Sequence, residues 1–284
     1  MLIAQITDIH IGFEQDNPNE LNRKRLDRTM AAICAMDPRP DILLATGDLV
    51  DAGDDYISYA RFKEALAGCP IPVFPALGNH DGRAAFREHF PDVPTVAGFV
   101  QYAIEDYPVR ILVLDTLDEG RHSGNFCETR AAWLRERLAE TPERPTILVL
   151  HHPPIDTGLA WMTENPDAQW VGRLEAIVSA QSNILAMLAG HIHRPIVTQW
   201  AGTTLAVCAS TSPQVALDLA AIDPEAPDGR AMIVADPPCY GLHHWNGRRL
   251  ISHYDTADDH DVLARYGPGF QPLLRMLEEE RGSG

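Results

Sequence analysis

The chain has 284 residues, 45% of them hydrophobic, and carries 40 acidic against 23 basic residues for a formal net charge of −17. That length and apolar content suffice for a large buried core, as one big domain or a domain with an appendage. The acidic balance argues against a general nucleic-acid-binding or anionic-membrane surface, either of which needs a basic patch, although a small anionic substrate stays compatible because bound metal reverses the local field.

The chain opens on an apolar run, Leu2–Thr7, that reads as a buried strand and not as a signal peptide, having no basic lead and too few apolar residues. Strand-like runs come next at Asp41–Thr46, Pro72–Leu77, Val109–Asp115, Thr146–Leu150 and Ile184–Ala189. Between them, Glu20–Met36, Tyr56–Ala67, Glu128–Ala139 and Ala168–Ala180 are amphipathic and long enough for helices. Strands interleaved with helices predict an α/β fold with mostly parallel strands. After Gly190 the pattern changes to strand-like runs separated by turns, at Thr203–Ala209, Ala231–Ala235 and Leu250–Tyr254, which predicts a second, more antiparallel sheet. Pro224, Pro227, Gly229, Pro237, Pro238 and Gly241 mark a loop or cap-like excursion. No apolar run approaches a membrane span, and a cytoplasmic protein is expected. Five cysteines, Cys34, Cys69, Cys127, Cys208 and Cys239, are odd in number and lack C-x-x-C spacing, so they read as reduced structural thiols.

The residues just past the strands carry the chemistry. After the first strand comes Asp8-x-His10, after the second Gly47-Asp48, after the third Gly78-Asn79-His80-Asp81, after the fifth His151-His152, and after the sixth Gly190-His191-x-His193. Burying Asp8 or His10 alone would cost several kcal/mol, and strand alternation puts both on one face, so each needs a partner. In open α/β sheets the crevice beyond the carboxyl ends of the strands is where such groups converge. Carboxylate, amide oxygen and imidazole without thiolate suit Mn, Fe, Zn, Co or Ni. The set is large enough for two ions, Asp8, His10, Asp48 and His193 around one and Asp48, Asn79, His151 and His191 around the other, with Asp48 bridging.

These motifs, in this order, resemble the full signature of the calcineurin-like metallophosphoesterases over roughly residues 1–215. The short lead, the His151-His152-Pro153-Pro154 run and the length are more specifically similar to the bacterial branch of class III cyclic-nucleotide phosphodiesterases and glycerophosphodiesterases. The resemblance implies a four-layer αββα sandwich of two mixed sheets with a dinuclear site at the strand ends, in a single domain over 1–284 with a cap or oligomerisation excursion near 216–262. One departure stands out: Pro213 precedes Gln214-Val215, where some members of this branch carry a substrate-facing histidine. The resemblance also makes His80 the outer-sphere histidine that stabilises or protonates the leaving oxygen, with Asp81 expected to orient it. His152 reads as outside the ligand shell.

Two divalent ions about 3.5–4 Å apart would bind phosphate oxygens and acidify a water for in-line attack on phosphorus. The expected function is hydrolysis of small phosphodiesters, 3′,5′-cyclic nucleotides or glycerophosphodiesters; the alternatives are a phosphomonoesterase and a catalytically silent scaffold, the latter disfavoured by the complete ligand set. Expected partners are a small-molecule diester and other copies of the chain, a dimer or higher, with neither a nucleic-acid polymer nor a membrane. For substrate contacts, the loop Asp156–Asp167 with Trp161 and Met162 is the candidate pocket wall, and Arg121, His122 and Asn125 lie where a phosphate- or base-contacting group would sit. His243-His244-Trp245 is expected to pack between the last strands.

Overall fold

The computed structural model describes residues 1–282. In chain order the elements are β1 (Leu2–Ile6), α1 (Leu21–Cys34), β2 (Ile42–Thr46), α2 (Tyr56–Leu66), β3 (Val73–Ala76), α3 (Arg83–His89), β4 (Tyr102–Ile104), β5 (Arg110–Val113), α4 (Glu128–Glu140), β6 (Thr146–Val149), α5 (Gln169–Val178) and β7 (Ile184–Ala189). Next come β8 (Ile196–Trp200), β9 (Thr203–Val207), β10 (Gln214–Val215), β11 (Ile233–Val234), β12 (Cys239–Trp245), β13 (Leu250–Thr256) and α6 (Gln271–Gly282).

They build two sheets, of order β13-β12-β1-β2-β3 and β4-β5-β6-β7-β9-β8, and a small hairpin of β10 and β11. β1, β2 and β3 run parallel, as do β5, β6, β7 and β9. β2 is buried along its whole length, as a parallel strand covered on both faces must be. One apolar cluster joins the facing sides of the two sheets to α1, α2 and α3, and a second joins the far side of the second sheet to α4 and α5. This is the four-layer αββα arrangement.

The second sheet is not the late, antiparallel one that the sequence predicts after Gly190. It begins at β4, and the late strands divide between the sheets: β9 extends the second sheet in parallel, while β12 and β13 add antiparallel strands to the far side of β1. Within 216–262, β11 pairs with β10 in the hairpin, and β12 and β13 belong to the first sheet. His243 does pack among the last strands, its Nε2 2.9 Å from Gln5 Oε1 and its Nδ1 2.7 Å from Ser252 Oγ.

Local chemistry places the helices. Asp55 caps α2 by accepting the N–H groups of Ile57 and Ser58, as short acidic side chains do at helix starts. Cys34 and Cys69 form a disulfide with Cα atoms 5.8 Å apart, tying the end of α1 to the loop after α2. The reading of all five cysteines as reduced thiols is therefore corrected for this pair: an odd total hides one bonded pair, and contact between the ends of two helices has no sequence spacing. Cys127, Cys208 and Cys239 are free. No helix among the described residues is long and apolar enough to cross a membrane.

Candidate metal centre

The polar groups that end β1, β2, β3, β6 and β7 meet where the carboxyl ends of the strands of the two facing sheets come together. Thr46 O, at the end of β2, takes the Nδ1–H of His151 at 2.9 Å, and Gln5 Nε2 donates to Ala189 O at 3.0 Å, so the sheets are joined by hydrogen bonds beside the site. The backbone is strained there. Asp8, His10, Asp48, His191 and His193 all have positive φ, between 49° and 74°. Such conformations disfavour non-glycine residues and persist only where the surroundings over-determine them, which is typical of functional sites.

Strand alternation is not what brings Asp8 and His10 together. β1 ends at Ile6, so Asp8 and His10 do not share a strand face. They converge because the loop coils, held by Asp8 N–H on Gly47 O at 3.0 Å and by the N–H groups of Ile9 and His10 on Asp48 O at 2.8 and 2.9 Å. Glycines are required by close approach: a Cβ on Gly78 would lie 2.2 Å from Asp48 Oδ1, and one on Gly190 1.9 Å from Thr7 Oγ1.

All seven expected ligands come together. His10 Nε2 lies 3.3 Å from His193 Nε2 and 3.6 Å from Asp48 Oδ2, and His193 Nε2 lies 3.5 Å from Asp8 Oδ1. On the other side His151 Nε2 lies 3.3 Å from Asp48 Oδ2 and 3.2 Å from Asn79 Oδ1. The His191 ring stands 5.1 Å from that of His151, and its backbone N–H donates to Asp8 at 3.0 Å. Asp48 Oδ2 thus sits between the two groups, while its Oδ1 accepts the His80 N–H at 2.8 Å.

The proton positions decide what this cluster can hold. His151 Nδ1 faces Thr46 O, His193 Nδ1 faces Pro213 O at 2.9 Å, and His10 Nδ1 faces Asp51 Oδ1 at 3.3 Å. Each acceptor calls for a proton on Nδ1 and leaves a lone pair on Nε2. The Nε2 lone pairs of His10 and His193 then face each other, and that of His151 faces two oxygens. Acceptors turned upon acceptors repel unless a cation lies among them, and carboxylate, amide and imidazole donors fit a divalent transition ion. Left to themselves, the groups keep a proton instead. Burial drives Asp8 up to about 6. Burial also works against a charged His151, but the Asp48 carboxylate outweighs it and pushes His151 to about 9. A cation would displace that proton.

Around the donors the structure rearranges the expected roles. Asp81 does not orient His80. Its buried carboxylate accepts the N–H groups of Gly78 at 2.8 Å and Leu49 at 3.2 Å and the Tyr59 hydroxyl at 3.1 Å, bracing the loops that carry Asn79 and Asp48. His80 instead gives Nδ1 to Asp51 O at 2.8 Å, so Asp51, which the sequence did not single out among ordinary turn acids, orients both His10 and His80. His80 is close enough to His10 and Asp48 to form a donor group with them. His152 is nearer than expected: Thr116 Oγ1 holds its Nδ1 at 2.8 Å, and its ring lies 4.8 Å from that of His191.

The His122 ring lies 4.6 Å from that of His191, tilted 45° to it, and Asn79 Nδ2 lies 3.4 Å from its Nδ1. The loop that carries it is pinned by Arg83, which forks onto buried Asp115 at 2.7 and 2.9 Å and donates to Leu117 O at 2.8 Å. Arg121 turns to Asp118 at 3.5 Å and is exposed, and Asn125 uses its N–H on Thr116 O. A cavity of about 410 Å³ opens over the cluster, with His80, His122, Trp161, Met162 and Pro213 on its wall. Its wall also includes Phe13, Leu21 and Ile233, which no sequence spacing distinguishes from scattered surface apolar residues.

Comparison with known proteins places the chain among phosphoesterases. The family model described as calcineurin-like phosphoesterase matches residues 1–195. The chain is similar to a probable cyclic nucleotide phosphodiesterase of Rhodopseudomonas palustris, 36% identical over 238 residues, covering 81% of this chain and 82% of that protein. It is also similar to a probable glycerophosphodiester phosphodiesterase of Arcobacter nitrofigilis, 31% identical over 250 residues, covering 86% of this chain and 89% of that protein. Among solved structures, a dimetal phosphatase from Danio rerio shares the fold, with a TM-score of 0.64 at 13% identity over 91% of this chain and 97% of the other.

Proposed function

The chain belongs to the calcineurin-like phosphoesterase family, and on that premise we propose that it is a dinuclear metal-dependent phosphodiesterase that hydrolyses small diesters, 3′,5′-cyclic nucleotides or glycerophosphodiesters. The observation that carries the proposal is the pair of acceptor groups that share Asp48 beneath one cavity. Asp8, His10, Asp48 and His193 would hold one ion and Asp48, Asn79, His151 and His191 the other, with Mn, Fe, Zn or Co suiting the donors. When bound, such a pair supplies charge neutralisation at the phosphate and a lowered pKa for water.

The protein's own groups do the rest. Asp51 O accepts the Nδ1–H of His80, and although burial works against a charged ring the Asp48 carboxylate raises its pKa, so the imidazolium form carries a second proton on Nε2 for the departing alkoxide in the cavity that the ring lines. Asn79 keeps its Oδ1 toward His151 and donates Nδ2 to His122 Nδ1, so His122 carries its proton on Nε2 and presents an N–H to a phosphate oxygen. Asp81 holds the Asn79 and Asp48 loops in register, and Trp161 forms part of the wall against the alcohol group.

Paired assays of the metal-loaded protein with bis(p-nitrophenyl) phosphate and p-nitrophenyl phosphate test the reading. The diester should have the higher kcat/KM, because the second charge of a monoester tightens ground-state binding without favouring the transition state. A monoester preference with several metals would make the protein a phosphomonoesterase instead.

A further inference from the structure

Beyond the ligand cluster, the cavity has an unusual chemical balance. Phe13, Leu21, Trp161, Met162, Val215 and Ile233 give it an apolar wall, and neither lysine nor arginine is among its lining residues. The ionisable groups that accompany them, Glu14, Glu20 and Asp51, are all acidic. They are also engaged. Glu20 accepts the N–H groups of Gly12 at 2.6 Å and Glu14 at 2.9 Å, Glu14 accepts from Asn17 Nδ2 at 2.8 Å, and Asp51 faces His10. Such carboxylates shape the loop after β1 and repel a second anion.

Two large aromatic side chains stand on separate loops around this space. Phe13 follows β1 and is 69% exposed; Trp161 lies between β6 and α5 and is 36% exposed. Aromatic faces left open to water at the wall of a cavity gain most by covering a flat ring, since offset stacking adds to simple area burial. A glycerol or ethanolamine group would bury little of either ring and would desolvate its own hydroxyls against an apolar wall.

Resting on the phosphodiester reading above, we propose that Phe13 and Trp161 are the residues that select the alcohol group of the substrate, and that they select a flat, unsaturated ring such as a nucleobase. The phosphate occupies the polar end of the cavity and the ring its apolar end. A diester with a second anionic group is rejected, because no side chain in the cavity is placed to neutralise it.

The test compares kcat and KM of the metal-loaded full chain, its Phe13→Ala and Trp161→Ala variants and the conservative Trp161→Phe, on 3′,5′-cyclic AMP and on glycerophosphoethanolamine. Wild type should favour cyclic AMP. Each alanine variant should raise KM for cyclic AMP about tenfold or more, the scale of one lost base–aromatic stack, with kcat held. The rise in KM for glycerophosphoethanolamine should be several-fold smaller than that for cyclic AMP, and Trp161→Phe should keep most of the cyclic AMP affinity. Equal losses on both substrates, or a wild-type preference for glycerophosphoethanolamine, would overturn the selection by ring while leaving the phosphodiesterase reading intact. Absence of turnover on every diester with every metal would instead remove that reading, and this inference with it.

Discussion

His80 shows how far a single residue's role depends on its neighbours. It follows Asn79 in the chain and can be counted with His10 and Asp48 as a donor group, yet its Nδ1 is committed to Asp51 O at 2.8 Å. A ring held that way reaches over the metal site with one nitrogen to spare. His80→Ala should therefore keep both equivalents of metal and the wild-type melting temperature, while kcat falls by roughly 10²–10⁴-fold, the range for a positioned acid. The loss should be larger for an alkoxide leaving group than for p-nitrophenolate, which departs with little protonation. Elemental analysis and paired kinetics decide the matter; loss of an equivalent of metal would make His80 a ligand. Asp81, the expected orienter, shows the converse. Its oxygens are taken by backbone N–H groups and Tyr59, so it acts on loop geometry and not on the proton.

At the scale of elements, the disulfide between Cys34 and Cys69 joins two helical units that carry opposite ends of the site's loops. α1 starts at Leu21, beside the cavity, and α2 follows the Asp48–Asp55 loop. Closing a loop of 35 residues removes unfolded-state entropy that corresponds to about 3–4 kcal/mol on the chain-entropy scale. A reductant should then lower the melting temperature of the wild-type protein by roughly 10 °C and should leave a Cys34→Ser, Cys69→Ser double variant unmoved. An equal response of the two proteins to reductant in calorimetry would show that the pair is not bonded in solution.

For the whole molecule, the site is a cost to folding until it is filled. Asp8, Asp48 and His151 are all buried, with acceptors facing one another where the strand ends of the two sheets meet. A cation that binds only the folded chain stabilises it by mass action, about 2.7 kcal/mol at a hundredfold excess over Kd, which for a domain of this size is roughly 5–10 °C in melting temperature. Chelation should reverse the shift. Asp48→Ala, which removes the oxygen lying between both groups, should lose most of the shift and at least one equivalent of metal; unchanged metal content in that variant would show that Asp48 is not shared.

The sequence by itself determined the alternating α/β pattern, the strands from Leu2 to Ala189 to within a few residues except the short β4, and the set of metal-competent side chains, because each of those signals is local. A run such as Ile147-Leu148-Val149-Leu150 before His151 announces a buried strand and a functional end within a handful of positions. Tertiary structure alone decided the rest. The left-handed backbone at Asp8, His10 and Asp48, the sheet to which β12 belongs, the bond between Cys34 and Cys69, and the use of Asp51 in place of Asp81 to hold His80 all arise from segments far apart in the chain. Phe13 and Trp161 meet one cavity for the same reason. Periodicity and spacing report how a residue relates to its chain neighbours; which loop lies against which is set by how two sheets pack, and that is written in no single stretch.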